Sequence, residues 1–291
     1  MTLRRIPSLL ALLFGLWSCM PDVQPTPTAT APAPTFTLAP SLTPSPVPPT
    51  ATPTPPACLS EPGTLSAGTV GTTVPPQGYL VYLPHCYDQL TALRYPVLYL
   101  LHGQTYTDDE WVRLGAVDAA DRLILSGEAA PFIMVFPDDR YWNLEAGPGF
   151  GVRLVEALIP FIDENYRTLA LREDRAVGGL SRGGGWGVRL GLTRWDLFGT
   201  LGLHSPAIFS DDSRLLEKWI AAVPDESWPR LWLDAGDRDK ELGSIRLLED
   251  ALSRHEIPHE FHLYAGDHSE AYWSAHVEEY LRWYVEDWVQ R

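Results

Sequence analysis

The five residues Gly179-Leu180-Ser181-Arg182-Gly183 restrict the fold of this chain more than any other stretch. Arg175-Ala176-Val177 before them is a short run of strand character, and Gly183-Gly184-Gly185 opens a glycine-rich helix start. A serine with glycine two residues away on each side suits a strand-to-helix turn so tight that larger side chains there collide. Such a turn holds the serine in strained backbone geometry, lifts its Oγ out of the sheet and aims the helix N-terminus at whatever reacts there. The pentapeptide alone also fits a glycine-rich surface loop. The strand before it and the helix after it favour the elbow.

Other segments alternate in the same way. Residues 78–84 alternate apolar and polar side chains like an edge strand, whereas 95–101 (YPVLYLL) and 132–136 (FIMVF) are nearly continuous apolar runs, as expected of strands covered on both faces. Further strands are expected at 175–179, 198–203, 231–235 and 260–264. Helical spacing marks 111–125, 151–166, 241–255 and a last helix from about 270, whose stripe is Trp273, Val277, Tyr280, Leu281, Tyr284, Val285 and Trp288. This alternation implies an α/β fold with a mostly parallel central sheet and helices on both faces.

The first 57 residues read differently. Arg4 and Arg5 precede an apolar run, Leu9 to Trp17, too short to span a bilayer and of signal-peptide character. Leu16-Trp17-Ser18-Cys19 resembles the lipobox of bacterial lipoproteins, although Trp17 stands where a small residue is usual, and a plain cleaved signal peptide is the competing reading. Residues 21–57 hold 13 of the 27 prolines and one charge, Asp22. Such a stretch buries no core and favours an extended polyproline spacer. The expected organisation is a signal peptide over 1–18, a lipidated Cys19 with a Pro/Thr-rich spacer over 19–57, and one catalytic-sized domain over 58–291. Export to the outer face of the membrane or the periplasm, with attachment by lipid alone, follows from it. In that oxidising setting the two remaining cysteines, Cys58 and Cys86, are expected to pair; two buried free thiols are the alternative. A formal net charge of −15 argues against nucleic acid as a partner. The eleven tryptophans either pack in core and rim or line a sugar-binding groove.

A serine hydroxyl at neutral pH is a weak nucleophile and needs a base that is itself oriented by an acid. In a strand–elbow–helix architecture the acid and the histidine follow the serine in that order, on loops after later strands. His268, in Gly266-Asp267-His268-Ser269, lies between the last strand and the last helix. His255, His259, His262 and His276 fall on a helix end, a strand or the last helix and suit packing or surface roles. The loop after residues 231–235 reads Gly236-Asp237-Arg238-Asp239; its position favours Asp239 as the acid, with Asp237 the alternative. An oxyanion hole needs two backbone donors, expected from the N–H groups of Gln104, after the Leu101-His102-Gly103 turn, and of Arg182. His102 precedes the serine and is expected to brace that turn. Neither metal-ligand spacing nor a phosphate-cradling loop is visible, so no metal and no cofactor are expected.

Taken in order, residues 81–84 (VYLP), 95–103 (YPVLYLLHG), 158–162 (LIPFI), 165–167 (NYR), 179–181 (GLS) and Gly266 with His268 ahead of Trp273 resemble the α/β-hydrolase esterases. That group includes feruloyl and acetyl-xylan esterases, enterochelin esterases, formylglutathione hydrolases and mycolyltransferases. The resemblance implies an eight-stranded sheet and a serine carboxylic ester hydrolase working through an acyl-enzyme. It also implies a G-x-x-D pattern for the acid, which Gly236 and Asp239 reproduce. Small-molecule or carbohydrate esters, acetyl or feruloyl, are the expected substrates. Acyl transfer of the mycolyltransferase type and a non-catalytic lipid-anchored binding module are the competing functions. Two positions depart from the group: Arg182 stands where Met is usual, a cation expected to bear on acyl or leaving-group preference, and Gln104-Thr105-Tyr106 matches no substrate signature.

Overall fold

All five side chains of the VLYLL run are buried. Val97, Tyr99 and Leu101 enter one hydrophobic core and Leu98 and Leu100 the other. A strand with two apolar faces can only sit inside a sheet covered on both sides. The protein is described here by a computed structural model over residues 57–144 and 149–288. The signal-peptide reading, Cys19 and the spacer up to Pro56 lie outside the described residues.

Eight strands form one sheet: β1 (Thr64–Val70), β2 (Gln77–Leu83), β3 (Val97–Leu101), β4 (Ile133–Pro137), β5 (Arg175–Leu180), β6 (Thr200–His204), β7 (Arg230–Gly236) and β8 (Glu260–Tyr264). Their spatial order is β1-β2-β4-β3-β5-β6-β7-β8. The β1–β2 and β2–β4 pairs are antiparallel and every other pair is parallel. One face is covered by α1 (Glu110–Arg113), α2 (Ala116–Leu125) and α8 (Glu270–Val285), which bury Trp111, Leu123 and Leu281. The other carries α3 (Phe150–Arg153), α4 (Ile159–Asn165), α5 (Arg182–Thr193), α6 (Leu216–Ile220) and α7 (Leu242–Arg254), with Ile162, Val188, Ile220 and Leu248 inward. Two separate cores, one per face, are what an α/β sheet requires.

Several expectations need correction. Residues 78–84 do not form the sheet edge: β2 lies between β1 and β4. The edge on that side is β1, which the sequence hides because its side chains are mostly exposed. The helix expected over 111–125 is two helices, broken at Leu114-Gly115, where Gly115 takes φ 100°. The helical run over 150–165 widens to a π-turn at Leu154–Leu158. Tyr95 lies ahead of β3 and makes an isolated bridge to Thr168. The parallel strands deliver their following loops to one rim, where such sheets carry their sites.

Candidate active site

Ser181 joins β5 to α5 with φ 52° and ψ −117°, a conformation side-chain-bearing residues rarely adopt. The glycines on either side make the turn possible. A Cβ on Gly179 would stand 2.4 Å from the Gly183 carbonyl carbon, and one on Gly183 only 2.1 Å from Leu101 O. The strained serine is held by its backbone: its N–H donates to His204 O (3.0 Å), and its carbonyl accepts from Ala207 N–H (2.8 Å) and Gly185 N–H (3.0 Å).

The loops after β7 and β8 bring Asp239 and His268 to the same point. His268 Nε2 lies 2.7 Å from Ser181 Oγ, and His268 Nδ1 lies 2.9 and 3.1 Å from the Asp239 carboxylate oxygens. A carboxylate accepting at Nδ1 fixes the hydrogen there and leaves Nε2 free to accept from the serine hydroxyl. Burial alone would raise the Asp239 carboxyl. Hydrogen bonds from His268 and from the Glu241 N–H (2.8 Å) favour its charged form more strongly, and the group lies below the ordinary carboxylate range. Asp237 does not reach His268. It accepts from Gly266 N–H at 3.0 Å and so braces the loop that carries the histidine.

Arg182 is the first residue of α5, so its N–H has no acceptor within the helix. Gln104 follows the Leu101–Gly103 turn and lines the same pocket as Ser181 and His268, a cavity of about 370 Å³. His102 braces that turn. Its Nε2 accepts from Asp139 N–H (2.8 Å), so its Nδ1 carries the hydrogen and donates to Gly103 O (2.7 Å). Residues 76–284 match the Esterase family over most of this geometry.

The chain belongs to the Esterase family.

Two curated relatives are an endo-1,4-beta-xylanase/feruloyl esterase of Xylanibacter ruminicola and an esterase of Mycobacterium tuberculosis. The first is 36% identical over 136 residues, 43% of this chain and 19% of that protein. The second is 26% identical over 243 residues, 66% of this chain and 52% of that protein. This Esterase-family chain thus spans between a fifth and about half of the length of the curated relatives it matches. Among solved structures, a ferulic acid esterase aligns at 25% identity with TM-score 0.69, covering 77% of this chain and 99% of the other. An S-formylglutathione hydrolase of Staphylococcus aureus aligns at 20% identity with TM-score 0.64, covering 77% and 98%. The second likeness concerns the fold, which is the α/β-hydrolase fold.

The Arg182 side chain, where this Esterase-family chain departs from the Met of the group it resembles, turns to a carboxylate. Its Nε donates to Asp139 Oδ2 (2.9 Å), which also accepts from Trp186 Nε1 (2.9 Å). Trp142, Trp186 and Phe209 surround the guanidinium at 5.3–5.9 Å. Its charge is therefore partly neutralised by Asp139 and does not stand free beside Ser181. Four histidines near the C-terminus are engaged elsewhere: His255 with Glu217, His259 with Ile257 O, His276 with Glu279, and His262 stacked on Trp232. Cys58 and Cys86 form a disulfide, with Cα atoms 5.1 Å apart.

Three elements of the site were not foreseen from the sequence. Asp139 lies two residues past β4, within reach of the Arg182 side chain next to Ser181; its place after an apolar strand was the available signal. His204 and Asp234 form a wholly buried pair, Nδ1 to Oδ2 2.6 Å, behind the elbow. Glu110 lies beneath the pocket, and no motif announces it, because it falls in the first turn of a helix.

Proposed function

We propose that this protein is an exported serine carboxylesterase that hydrolyses carboxylic esters, with carbohydrate-linked acetyl or feruloyl groups as the preferred substrates. The observation that carries the reading is the unbroken line from Asp239 through His268 to Ser181, with 2.9 and 2.7 Å steps, opening into a pocket beside a strained nucleophile. Ser181 Oγ attacks the ester carbonyl as its proton passes to His268 Nε2. The N–H groups of Gln104 and Arg182 receive the developing oxyanion. His268 returns the proton to the departing alcohol, leaving an acyl-Ser181. Water activated by the same imidazole then attacks, and the acid is released.

The sugar-ester preference is supported by the feruloyl esterase names of similar proteins and by a pocket rim rich in hydrogen-bonding side chains, among them Gln104, Thr105, Tyr106 and Lys240. Export and attachment through a lipidated Cys19 rest on the signal-like and lipobox-like segments, and the disulfide agrees with an oxidising compartment. The test combines fluorophosphonate labelling with hydrolysis of p-nitrophenyl esters of increasing chain length, feruloyl esters and acetylated xylan. Labelling of wild type but not of Ser181→Ala, with turnover of a carbohydrate ester, supports the reading. A wild type that neither labels nor hydrolyses any of these esters overturns it.

A further inference from the structure

The loop that presents Gln104 is fastened from below by two adjacent residues of α1. Trp111 Nε1 donates to Leu101 O at 3.0 Å, and Glu110 Oε2 accepts from Gly103 N–H at 2.6 Å. Between these points His102 is held by Asp139 N–H. Beyond them the chain turns at once, with Thr105 at φ 74°, a left-handed conformation disfavoured for a β-branched residue. Gln104 therefore sits between a clamped residue and a strained one. A strained turn persists only when its surroundings over-determine it.

Glu110 is an unusual choice for a clamp. Its residue is fully buried, and Oε1 has no hydrogen-bond partner. Packing alone would favour an apolar side chain at such a place, since a buried carboxyl without full hydrogen bonding is costly. Its retained feature is the acceptor aimed at Gly103 N–H, and the group also lines the pocket that contains Ser181 and His268.

We propose that Glu110 is a positioning residue of the esterase, which acts through Gly103 to hold the Gln104 N–H in oxyanion-donor geometry. The inference rests on the proposed esterase function. The acceptor, rather than the negative charge, is the required property. Burial raises the Glu110 carboxyl to about 7, with Gly103 N–H, His102 and Arg113 opposing the rise and Glu270 adding to it. Tyr106, His268, Lys240 and Glu241 are the other titratable groups around the pocket. Both protonation states of Glu110 leave Oε2 able to accept, so the clamp survives across neutral pH.

The experiment compares wild type, Glu110→Ala and Glu110→Gln on p-nitrophenyl acetate at about pH 8, with melting curves for each. A donor displaced by about an ångström loses on the order of 100-fold in rate. Glu110→Ala is therefore expected to lower kcat by about 30- to 300-fold with KM within about threefold, whereas Glu110→Gln, which keeps an acceptor, stays within about threefold of wild type. The Gly103 amide gives a second readout: its NMR shift is expected to move upfield in Glu110→Ala, where the N–H loses its acceptor, and to stay near the wild-type value in Glu110→Gln. The proposal is overturned if Glu110→Ala keeps more than about a third of kcat, if folded Glu110→Gln is as poor as Glu110→Ala, if the loss lies in KM, or if the Gly103 amide shift is the same in Glu110→Ala as in wild type. If wild type is inactive and unlabelled by fluorophosphonate, the proposed function fails, and the positioning role fails with it. An active wild type with unaffected variants sinks only the inference about Glu110.

Discussion

Ser181, His268 and Asp239 act as a unit in the proposed reaction, so their substitutions should not add. Ser181→Ala is expected to lower esterase turnover by on the order of 10⁵-fold or more with folding retained, and His268→Ala by a similar factor. Asp239→Asn should cost on the order of 10⁴-fold, since the amide no longer holds the imidazole hydrogen at Nδ1. Asp237→Asn removes only a brace to Gly266 N–H and should stay within about tenfold of wild type. Steady-state kinetics on one ester ranks all four, and an Asp237 variant worse than the Asp239 variant would reverse the acid assignment. Glu110 adds a pH effect on stability. Its folded carboxyl titrates at about 7 against an ordinary value of 4.5, so the folded state holds its proton more tightly. Its contribution to stability is fully present below about pH 4.5 and is lost as pH rises through about 7, a change on the order of 3 kcal/mol. Glu110→Gln removes that loss. Its melting temperature relative to wild type should be higher at pH ~8 than at pH ~5, and a pH-independent difference would contradict the raised carboxyl.

At the scale of elements, α8 is pinned to the sheet by a polar cluster inside an apolar core. Tyr272 and Tyr280 donate to Asp234 Oδ1 at 2.7 and 2.9 Å, while Trp232 Nε1 and His204 Nδ1 reach Oδ2 at 2.8 and 2.6 Å. Tyr284 OH completes the set at His204 Nε2, 2.9 Å away. Four donors on one carboxylate remove the penalty of burying it, and a fully connected network specifies one docking of the helix. The Tyr284 ring enters because Gly178 and Gly202 lack side chains: a Cβ on either would lie 1.6 or 1.8 Å from its hydroxyl. Tyr284→Phe leaves His204 Nε2 buried without a donor, at a cost of about 1–3 kcal/mol. Thermal melting should fall by several degrees for a domain of this size, and an unchanged melting temperature would mean that the network contributes little. The apolar stripe of α8 was legible because 3.6-residue periodicity reports which face is buried. The tyrosines on that stripe gave no sign of their hydroxyl partners, since those come from β6 and β7, whose approach is a property of the fold.

For the whole molecule, the disulfide ties Cys58, at the start of the described residues, to Cys86 just after β2, across a separation of 28 residues. Replacing both cysteines with serine should lower stability by roughly 3.5 kcal/mol on a chain-entropy estimate. Denaturant unfolding measures it, and an unchanged midpoint would show that the link constrains the unfolded chain little. The proposed membrane attachment belongs to this scale as well: Cys19→Ser is expected to release the domain or leave its precursor unprocessed, and normal processing with unchanged membrane retention would refute the anchor. The sequence by itself determined the α/β layering, the elbow at Ser181 and the histidine after the last strand, because each depends on local periodicity or on glycine at a place where a Cβ collides. It left the acid open between Asp237 and Asp239, two residues apart in one loop. Only the tertiary structure decided which carboxylate reaches His268, that Arg182 turns to Asp139, that β1 rather than β2 takes one sheet edge, and that Glu110 stands under the turn that leads to Gln104. Each of these depends on which side chains from distant strands and helices arrive at one point, and no pattern within a single segment records that.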